Sequence, residues 1–526
     1  MADKMTEPFT YSLAHYFEEA KVNPIPEIFS GIGIYHPDIG WIKPRWHQIT
    51  GLNGAFVFSR YGLFDKMGTG KTLISHAYVA WHAYYGNRPV CLMPPILLEQ
   101  YRTNFFLTFP GIDKHCDMLV YHGNPKQREK LAQRLVAYTG DKFPILVTTP
   151  EMFRKEFPLF KMLDCCVLNM DEAEYLANPD TKIATAIKLF MEKYGEKTSL
   201  LMNGTPASND LRDTYGYISH LTPGVYNSKA QFLNKHVEFN EISVRVSKSG
   251  DDEFRKKILQ VSHFKEFQLL YENLYKQARR IEKEDVLDLP SLQVIPTPVR
   301  LTGKHKQKYD EFCLAQVLLF EDGTAISGEQ SSTMRNVCMQ AVIQTDMLQV
   351  DEESAVFTMC DQLVDSINPY EEKIFIGAYY HKTVERLVER YKKFGALSIY
   401  GLNSPKKNID NKNSFVSDPD CRILVVNYES GGVGLDGLQR VCCYGIAAEP
   451  ISVPGPFEQW RDRLHRGGQT KKVVLYTLNA LGTIWTKAIA SMLRKEAWNS
   501  SVVSRERMLR ELKGEAEDSS LALGDD

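Results

Sequence analysis

Ten short apolar runs rich in β-branched residues recur along this chain, each followed by a loop and a stretch of helical character. Five lie in the first half: Gly62–Met67, Pro89–Met93, Ile145–Thr149, Cys165–Met170 and Ser199–Asn203. Five lie in the second: Lys373–Ala378, Ala396–Tyr400, Arg422–Asn427, Val441–Tyr444 and Val473–Leu478. Such runs suit parallel strands covered on both faces. Strands alternating with helices give an α/β sheet, since parallel neighbours need long crossovers. Two sets of runs predict an α/β fold with two parallel-sheet lobes, over 41–222 and 371–495.

The segment 223–370 has another texture. It is rich in Lys, Glu, Gln and Leu, with few strand-like runs. It is expected to be a mostly helical insertion and linker, interrupted at Asp288-Leu289-Pro290 and around Gly323–Gly328. It is too long to be a linker alone. Residues 1–40 form an N-terminal segment with no firm expectation. Residues 496–526 read as a C-terminal helix and a solvated tail, because Gly514–Asp526 carries acidic side chains and no basic ones.

Composition excludes little. The chain has 526 residues, 43% hydrophobic and 24% charged, which describes an ordinary globular protein of several domains. A net charge of −2 means that any polyanion must be met by a local basic patch. The ten cysteines form no C-x-x-C pair, and the doublets Cys165-Cys166 and Cys442-Cys443 lie in strand-like runs. They read as reduced core thiols. No apolar run reaches membrane-spanning length, and MADKMTEPFTYSL lacks a signal peptide's layout. A cytoplasmic protein with no membrane partner is expected.

Two motifs carry chemistry. In Asp65-Lys66-Met67-Gly68-Thr69-Gly70-Lys71-Thr72 a strand runs into a glycine-rich loop that opens a helix. Backbone N–H groups converge at such a helix start and bind phosphate, while glycines let the backbone come close. Gly68, Thr69 and Gly70 would cradle a triphosphate, Lys71 would reach its β- and γ-phosphates, and Thr72 would hold Mg²⁺. The strict pattern wants glycine where this chain has Asp65. About 100 residues on, an apolar strand ends in Asp171-Glu172-Ala173-Glu174. Ligands collect at the carboxyl ends of such strands. Asp171 is assigned to Mg²⁺, and Glu172 is assigned as general base for the attacking water.

Gln459, Arg463 and Arg466 fall at spacings that share one face if the segment Gln459–Gln469 is helical. Guanidinium groups stabilise charge on a transferring γ-phosphoryl group. Arg463 and Arg466 can do so only if a second lobe brings them to the phosphates.

These pieces resemble helicase superfamily two, and within it the SWI/SNF-type DNA translocases. DKMGTGKT resembles that family's DEMGLGKT, and DEAE at 171–174 its DEAH. Asn203-Gly204-Thr205-Pro206 with Asn209 resembles GTP-x-x-N, and Tyr428–Leu435 the glycine-rich fifth motif. DRLHRGGQ at 462–469 resembles DRAHRIGQ, the most family-specific match. Trp46-His47-Gln48 resembles the aromatic-x-Gln before the first motif. Arg279-Arg280, Asp285-Val286 and Leu289-Pro290 resemble the signature that ends the first helical insertion. The likeness covers roughly Lys43 to Ser491.

It implies two RecA-like P-loop NTPase lobes, with ATP and Mg²⁺ as ligands. Gln48 would read adenine, and Gly432, Gly434 and Gln459 would also meet the nucleotide. Pro94, Thr148, Thr149 and Gly431 would touch DNA phosphates. The compact form is similar to bacterial or viral members, so a bacterial or virus-infected cell is the expected setting. Glu174 replaces the usual histidine, which bears on coupling more than on hydrolysis. Asp436 stands where the family often has Asn.

The function implied is an ATP-dependent translocase on duplex or branched DNA, acting as a monomer. Its output would be branch migration, fork remodelling or protein displacement. A strand-separating DNA or RNA helicase is the first alternative. A nucleotide-gated scaffold with little turnover is the second.

Overall fold

The apolar runs of the first half become strands of one all-parallel sheet, and those of the second half become strands of another. The computed structural model describes residues 34–36, 40–42 and 44–503, apart from 110, 139, 194–196, 248–252, 322–327 and 432–434. Gly432 and Gly434, nearly all of segment 1–40 and the acidic tail lie outside the described residues.

In chain order the strands are β1 (Ile34–His36), β2 (Gly40–Ile42), β3 (Arg60–Leu63), β4 (Pro89–Leu92), β5 (Cys116–Tyr121), β6 (Phe143–Thr148), β7 (Val167–Met170) and β8 (Thr198–Met202). Then come β9 (Val237–Ser247), β10 (Glu253–Phe264), β11 (Ala278–Arg279), β12 (Leu292–Arg300), β13 (Lys373–Ala378), β14 (Leu397–Ile399), β15 (Ile423–Asn427), β16 (Cys442–Ala447) and β17 (Val473–Leu481). The described residues fall into two compact units. One holds the chain up to Phe232 together with Phe267–Leu287, and the other is built mainly from Leu233–Glu266 and Asp288–Ser501.

The first lobe carries a seven-stranded sheet of order β11-β3-β8-β7-β4-β6-β5. Its central strands are buried along their length, as parallel strands between helical layers must be. The helix Lys71–Tyr84 buries Ile74, Ala77, Tyr78 and Trp81 against the core. β1 and β2 form a separate antiparallel pair.

The second lobe carries a six-stranded sheet of order β12-β17-β16-β13-β15-β14, again all parallel. Trp460 and Trp485 are its largest fully buried side chains, and Trp460 sits beside the sheet. Trp460 stacks on Phe375 with ring centroids 5.5 Å apart and meets Tyr428 edge-on at 5.8 Å. No helix among the described residues is long and apolar enough to cross a membrane. All ten cysteines are free thiols, most of them buried.

The segment 223–370 carries the expected helices together with strands that the expectation did not include. Helices Gly303–Glu321, Gly328–Ala341 and Ala355–Ile367 are present. So is a long antiparallel hairpin, β9 with β10. Two further strands join the lobe sheets: β11 pairs with β3, and β12 pairs with β17 along nine residues. Pro296 and Pro298 made Leu292–Arg300 a poor strand on paper. Proline is tolerated on an edge strand, and β12 is an edge. The two prolines share a parity, so both missing N–H groups fall on one side of the strand.

Candidate nucleotide site

The phosphate loop is shaped by two glycines in the left-handed region, Gly68 at φ +83° and Gly70 at φ +88°. Side chains seldom adopt that backbone. At Gly70 a Cβ would also lie 2.3 Å from Gln48 Nε2. Lys71 is the first residue of the helix Lys71–Tyr84, so the loop delivers its N–H groups to a helix start. Lys71 Nζ donates to the carbonyls of Asp65 at 2.5 Å and Lys66 at 3.2 Å. Burial pulls its ammonium below the ordinary range, against the pull of Glu172, Asp65 and Asp171. Thr72 follows with an exposed side chain.

The helix Trp46–Val57 is fastened to this loop. His47, fully buried, hydrogen-bonds the Thr69 carbonyl at 2.8 Å. Gln48 donates to the Gly70 carbonyl at 3.3 Å and accepts from the Arg45 N–H at 2.9 Å.

β7 runs beside β8 and β4 and ends at Met170, which sets Asp171 and Glu172 at its carboxyl end. Burial, reinforced by Glu172 and opposed by Lys71, pushes the Asp171 carboxyl up to about 7. A cation at this carboxylate would favour the ionised form. Glu172 sits at φ +46°, a strained position for a non-glycine residue, and its N–H donates to Asp171 Oδ1 at 3.0 Å. Such strain clusters at functional sites.

Asn203 and Gly204 follow β8. Asn203 donates to Tyr217 OH at 2.7 Å and accepts from the Thr205 N–H at 3.0 Å. A Cβ on Gly204 would sit 3.1 Å from Met67 Cγ and 3.8 Å from Lys71 Nζ, so this loop lies against the phosphate loop. The first lobe thus gathers Gln48, Gly68–Thr72, Asp171, Glu172 and Gly204. Among the described residues no cluster of three or more His, Cys, Asp or Glu side chains could hold a metal. The available set is one hydroxyl and one carboxylate, which fits Mg²⁺, an ion that takes much of its shell from water and phosphate.

In the second lobe the helix Pro454–Arg461 carries Gln459, buried, and stops before both arginines. This corrects the expectation of one helix face bearing all three. After Arg461 the chain tightens into successive turns, with Arg463 N–H on Trp460 O at 3.2 Å and Leu464 N–H on Arg461 O at 3.2 Å. The anchors are tertiary: Trp460 and Leu464 are fully buried, and His465 bonds the Pro290 carbonyl at 2.9 Å. Gly468, at φ +94°, then turns the chain toward β17. Arg463 is 6% exposed. Arg466 pairs with Asp436 at 3.5 Å. Burial pushes the Asp436 carboxyl up, yet Arg466, the Gly437 N–H, Arg463 and Arg440 together hold it below the usual range.

The family model described as SNF2-related domain matches residues 58–352, more than half of the chain. The chain belongs to the SNF2-related family. It is 23% identical over 482 residues to "ATP-dependent DNA helicase DDM1" of Arabidopsis thaliana, covering 86% of this chain and 59% of that one. It is 25% identical over 510 residues to "SWI/SNF chromatin-remodeling complex subunit snf22" of Schizosaccharomyces pombe, covering 89% and 28%. The chain therefore spans less than two thirds of these relatives. The solved "Sulfolobus solfataricus SWI2/SNF2 ATPase core in complex with dsDNA" is similar at 20% identity and a TM-score of 0.37, covering 92% of this chain and 97% of that one.

The chain has the two parallel-sheet lobes its strands predicted. The residues expected on nucleic acid are a mixed set. Pro94 lies just beyond β4, and Gly431 ends the short helix Tyr428–Gly431 after β15. Thr148 is fully buried and donates its hydroxyl to the Tyr121 carbonyl at 2.7 Å, so it offers no hydroxyl to a phosphate. That expectation is corrected: strand-end burial claims the side chain first. Thr149 caps the helix Pro150–Lys155 by accepting from the Met152 N–H at 3.1 Å. Glu174 is exposed.

Three contributors were assigned no role from sequence. His47 holds the loop, Asn169 ties β7 to the helix behind the loop, and Arg280 reaches the Phe64 and Gly204 carbonyls at 3.1 and 3.2 Å. Only Arg280 had a visible signal, the Arg279-Arg280 pair in the insertion-ending signature.

Proposed function

We propose that this protein is an ATP-dependent motor that moves along double-stranded or branched DNA. The observation that carries the reading is Lys71 at a helix start in the same lobe as the half-buried Asp171 and Glu172 at the end of β7, in a chain of the SNF2-related family. The description of the Arabidopsis relative as an ATP-dependent DNA helicase supports the same class of activity.

In this reading the loop N–H groups and Lys71 hold the triphosphate, and Gln48 meets the base. Thr72 and Asp171 would hold Mg²⁺, which supplies charge neutralisation at the phosphates when bound. Glu172 accepts a proton from water as the water oxygen bonds to the γ-phosphorus. The bond from that phosphorus to the β–γ bridging oxygen breaks, leaving ADP and phosphate. Arg463 and Arg466 are assigned to the charge that develops on the transferred group, and Gln459 to the nucleotide. Gly432 and Gly434 are assigned to the nucleotide, and Gly431, Pro94 and Thr149 to DNA phosphates. ATP does mechanical work only if the ATP-bound and ADP-bound forms grip DNA differently.

The test is ATP turnover titrated against duplex, forked and single-stranded DNA and RNA. Duplex or forked DNA should stimulate most, and stimulation should fall steeply with salt as phosphate contacts release counterions. Lys71→Ala should lose about 10²-fold or more in turnover, and Glu172→Gln should bind ATP with little hydrolysis. Arg463→Ala and Arg466→Ala should lose about 10³-fold or more in kcat with smaller changes in ATP affinity. Equal rates with every nucleic acid would defeat the DNA assignment. Strand separation on forks would shift it to a helicase, and tight ATP binding without turnover would shift it to a scaffold.

A further inference from the structure

Arg279 lies 214 positions after Asp65, yet the two meet at 2.6 Å, Arg279 Nη2 to Asp65 Oδ2. Asp65 is fully buried in the stem of the phosphate loop. The backbone on either side of it is held by the same segment. Phe64 N–H donates to Arg279 O and Lys66 N–H to Ile281 O, both at 2.9 Å, continuing the parallel pairing of β11 with β3. The loop stem is therefore fastened at Phe64, Asp65 and Lys66 in succession.

The same two arginines reach outward to the loop's other supports. Arg279 Nη1 donates to Thr50 Oγ1 at 2.6 Å, on the helix that carries Gln48, and a Cβ on Gly51 would lie 2.5 Å from Arg279 Nη2. Arg280 Nη1 donates to Phe64 O at 3.1 Å and Gly204 O at 3.2 Å, and its Nε meets Glu282 at 2.5 Å. Lys71 in turn rests on the Asp65 carbonyl. Phosphate loop, Gln48 helix and Gly204 loop are thus cross-braced by three consecutive residues. A planar guanidinium holds its donors in a fixed fork, whereas a lysine's donors rotate at the end of a flexible stem, so the fork sets direction more firmly.

We propose that Arg279–Ile281 is a positioning strap that sets the affinity of the phosphate loop for a nucleoside triphosphate. The proposal rests on the ATP reading given above. β11 is only two residues long and lies at the sheet's edge, so few ladder bonds hold it, and the Arg279–Asp65 pair and the Arg280 bonds carry most of the fastening. A movement of the segment Phe267–Leu287 would then loosen the loop without touching nucleotide. This gives a remote part of the chain control over the site.

The experiment uses the full chain with a fluorescent ATP analogue, amide hydrogen exchange and thermal melting. Arg280→Lys keeps charge but loses the fork, and Arg280→Gln loses both. Arg279→Lys and the uncharged pair Asp65→Asn with Arg279→Gln probe the buried ion pair. Arg102→Gln, a surface arginine on another helix, serves as control. Expected are an affinity loss of about tenfold or more in the strap variants, partly restored in Arg280→Lys relative to Arg280→Gln, and faster exchange at the Phe64 and Lys66 amides. The rest of the first lobe should keep its protection, and Arg102→Gln should bind as wild type.

Affinity within twofold of wild type in folded strap variants would overturn the strap. So would faster exchange spread evenly over the lobe, which marks a merely structural pair. If Arg279→Lys fails to fold, the Arg280 pair, whose main partners are carbonyls, decides alone. Wild type that binds the analogue but shows no DNA-stimulated turnover sinks the motor reading and leaves the strap to be judged on binding and exchange. Wild type that binds no ATP overturns both.

Discussion

Asn169 donates its side-chain amide to Ser75 Oγ at 2.8 Å, a fully buried hydrogen bond joining β7 to the helix that begins at Lys71. Asn169 stands two residues before Asp171, and Ser75 one helical turn after Lys71. Tyr101 completes the cluster, bonding Ser75 at 2.6 Å and accepting from Asn169 at 3.2 Å. The strand of carboxylates and the helix of the phosphate loop are locked by a polar contact in an otherwise apolar core. Asn169→Leu, near in shape, should destabilise the first lobe by about 1–3 kcal/mol. It should also lower turnover more than ATP affinity. Denaturant titration with steady-state kinetics checks both, and wild-type kcat in a destabilised variant would refute the link to Asp171.

Gly216 touches backbone. A Cβ there would lie 1.9 Å from the Leu176 carbonyl oxygen and 2.6 Å from that of Ala177, in and beside the turn Ala173–Leu176 that follows Glu172. Backbone cannot rotate away as a side chain can. Gly216→Ala should cost about 1–3 kcal/mol or more and should depress turnover, because the turn behind the carboxylates must shift. A variant with normal melting and normal turnover would show that this contact relaxes freely.

His76 and His220 should make the first lobe sensitive to acid. Both are buried, and burial pushes each imidazole down to about 3, with Arg60 adding to the effect at His220. The unfolded chain takes up these protons near 6.5, and the folded chain refuses them until far lower pH. The stability they contribute is complete above 6.5 and is lost as pH falls toward 3. At pH 4.5 each should cost roughly 3 kcal/mol. Denaturant unfolding at pH 7 and pH 5 should show the loss, and His76→Asn with His220→Asn should flatten it. An unchanged slope in that variant counts against the assignment.

Glu449 should act with the opposite sign in the second lobe. Its buried carboxyl accepts from the Tyr379 and Tyr380 N–H groups at 2.8 and 2.9 Å and from the Thr383 hydroxyl at 2.7 Å. Burial pushes it up to about 7 against those donors. The folded chain keeps a proton that the unfolded chain has released near 4.5. The associated stability is full below 4.5 and is lost as pH rises through 7, to the extent of about 3 kcal/mol. Glu449→Gln should be less pH-dependent between 5 and 8 and relatively more stable at pH 8. Parallel stability profiles for the two proteins would rule this out.

Much of the fold was legible because buried parallel strands must be apolar on both faces. Nine of the ten expected runs overlap their observed strands almost throughout; the first is displaced, since β3 ends at Leu63 and the stem beyond it, though bonded to Arg279–Ile281, already bends into the phosphate loop. Three edge strands of the lobe sheets escaped, β5, β11 and β12, whereas β14 did not. β5 carries Asp117, which is partly exposed and paired with Arg134, and β12 carries two prolines, which an edge strand tolerates because one side lacks a neighbour. The β9–β10 hairpin did leave a trace, the alternation of Ile242, Val244 and Val246 with polar residues, which has the period of a strand and not of a helix.

The site divides in the same way. Residue types and local order alone place the glycine-rich loop at a helix start, because a tight glycine turn is short-range geometry, and they place Asp171 and Glu172 at the carboxyl end of β7. Tertiary structure alone decided that the arginine segment leaves its helix at Arg461, since Trp460, Leu464 and His465 are fixed by partners distant in sequence. It alone decided that Thr148 is consumed by Tyr121 and that Asp65 is held by Arg279. Short-range rules fix which backbone shapes a segment prefers, whereas a buried charge or hydroxyl takes whatever partner packing brings within 3 Å, and sequence spacing does not encode that distance.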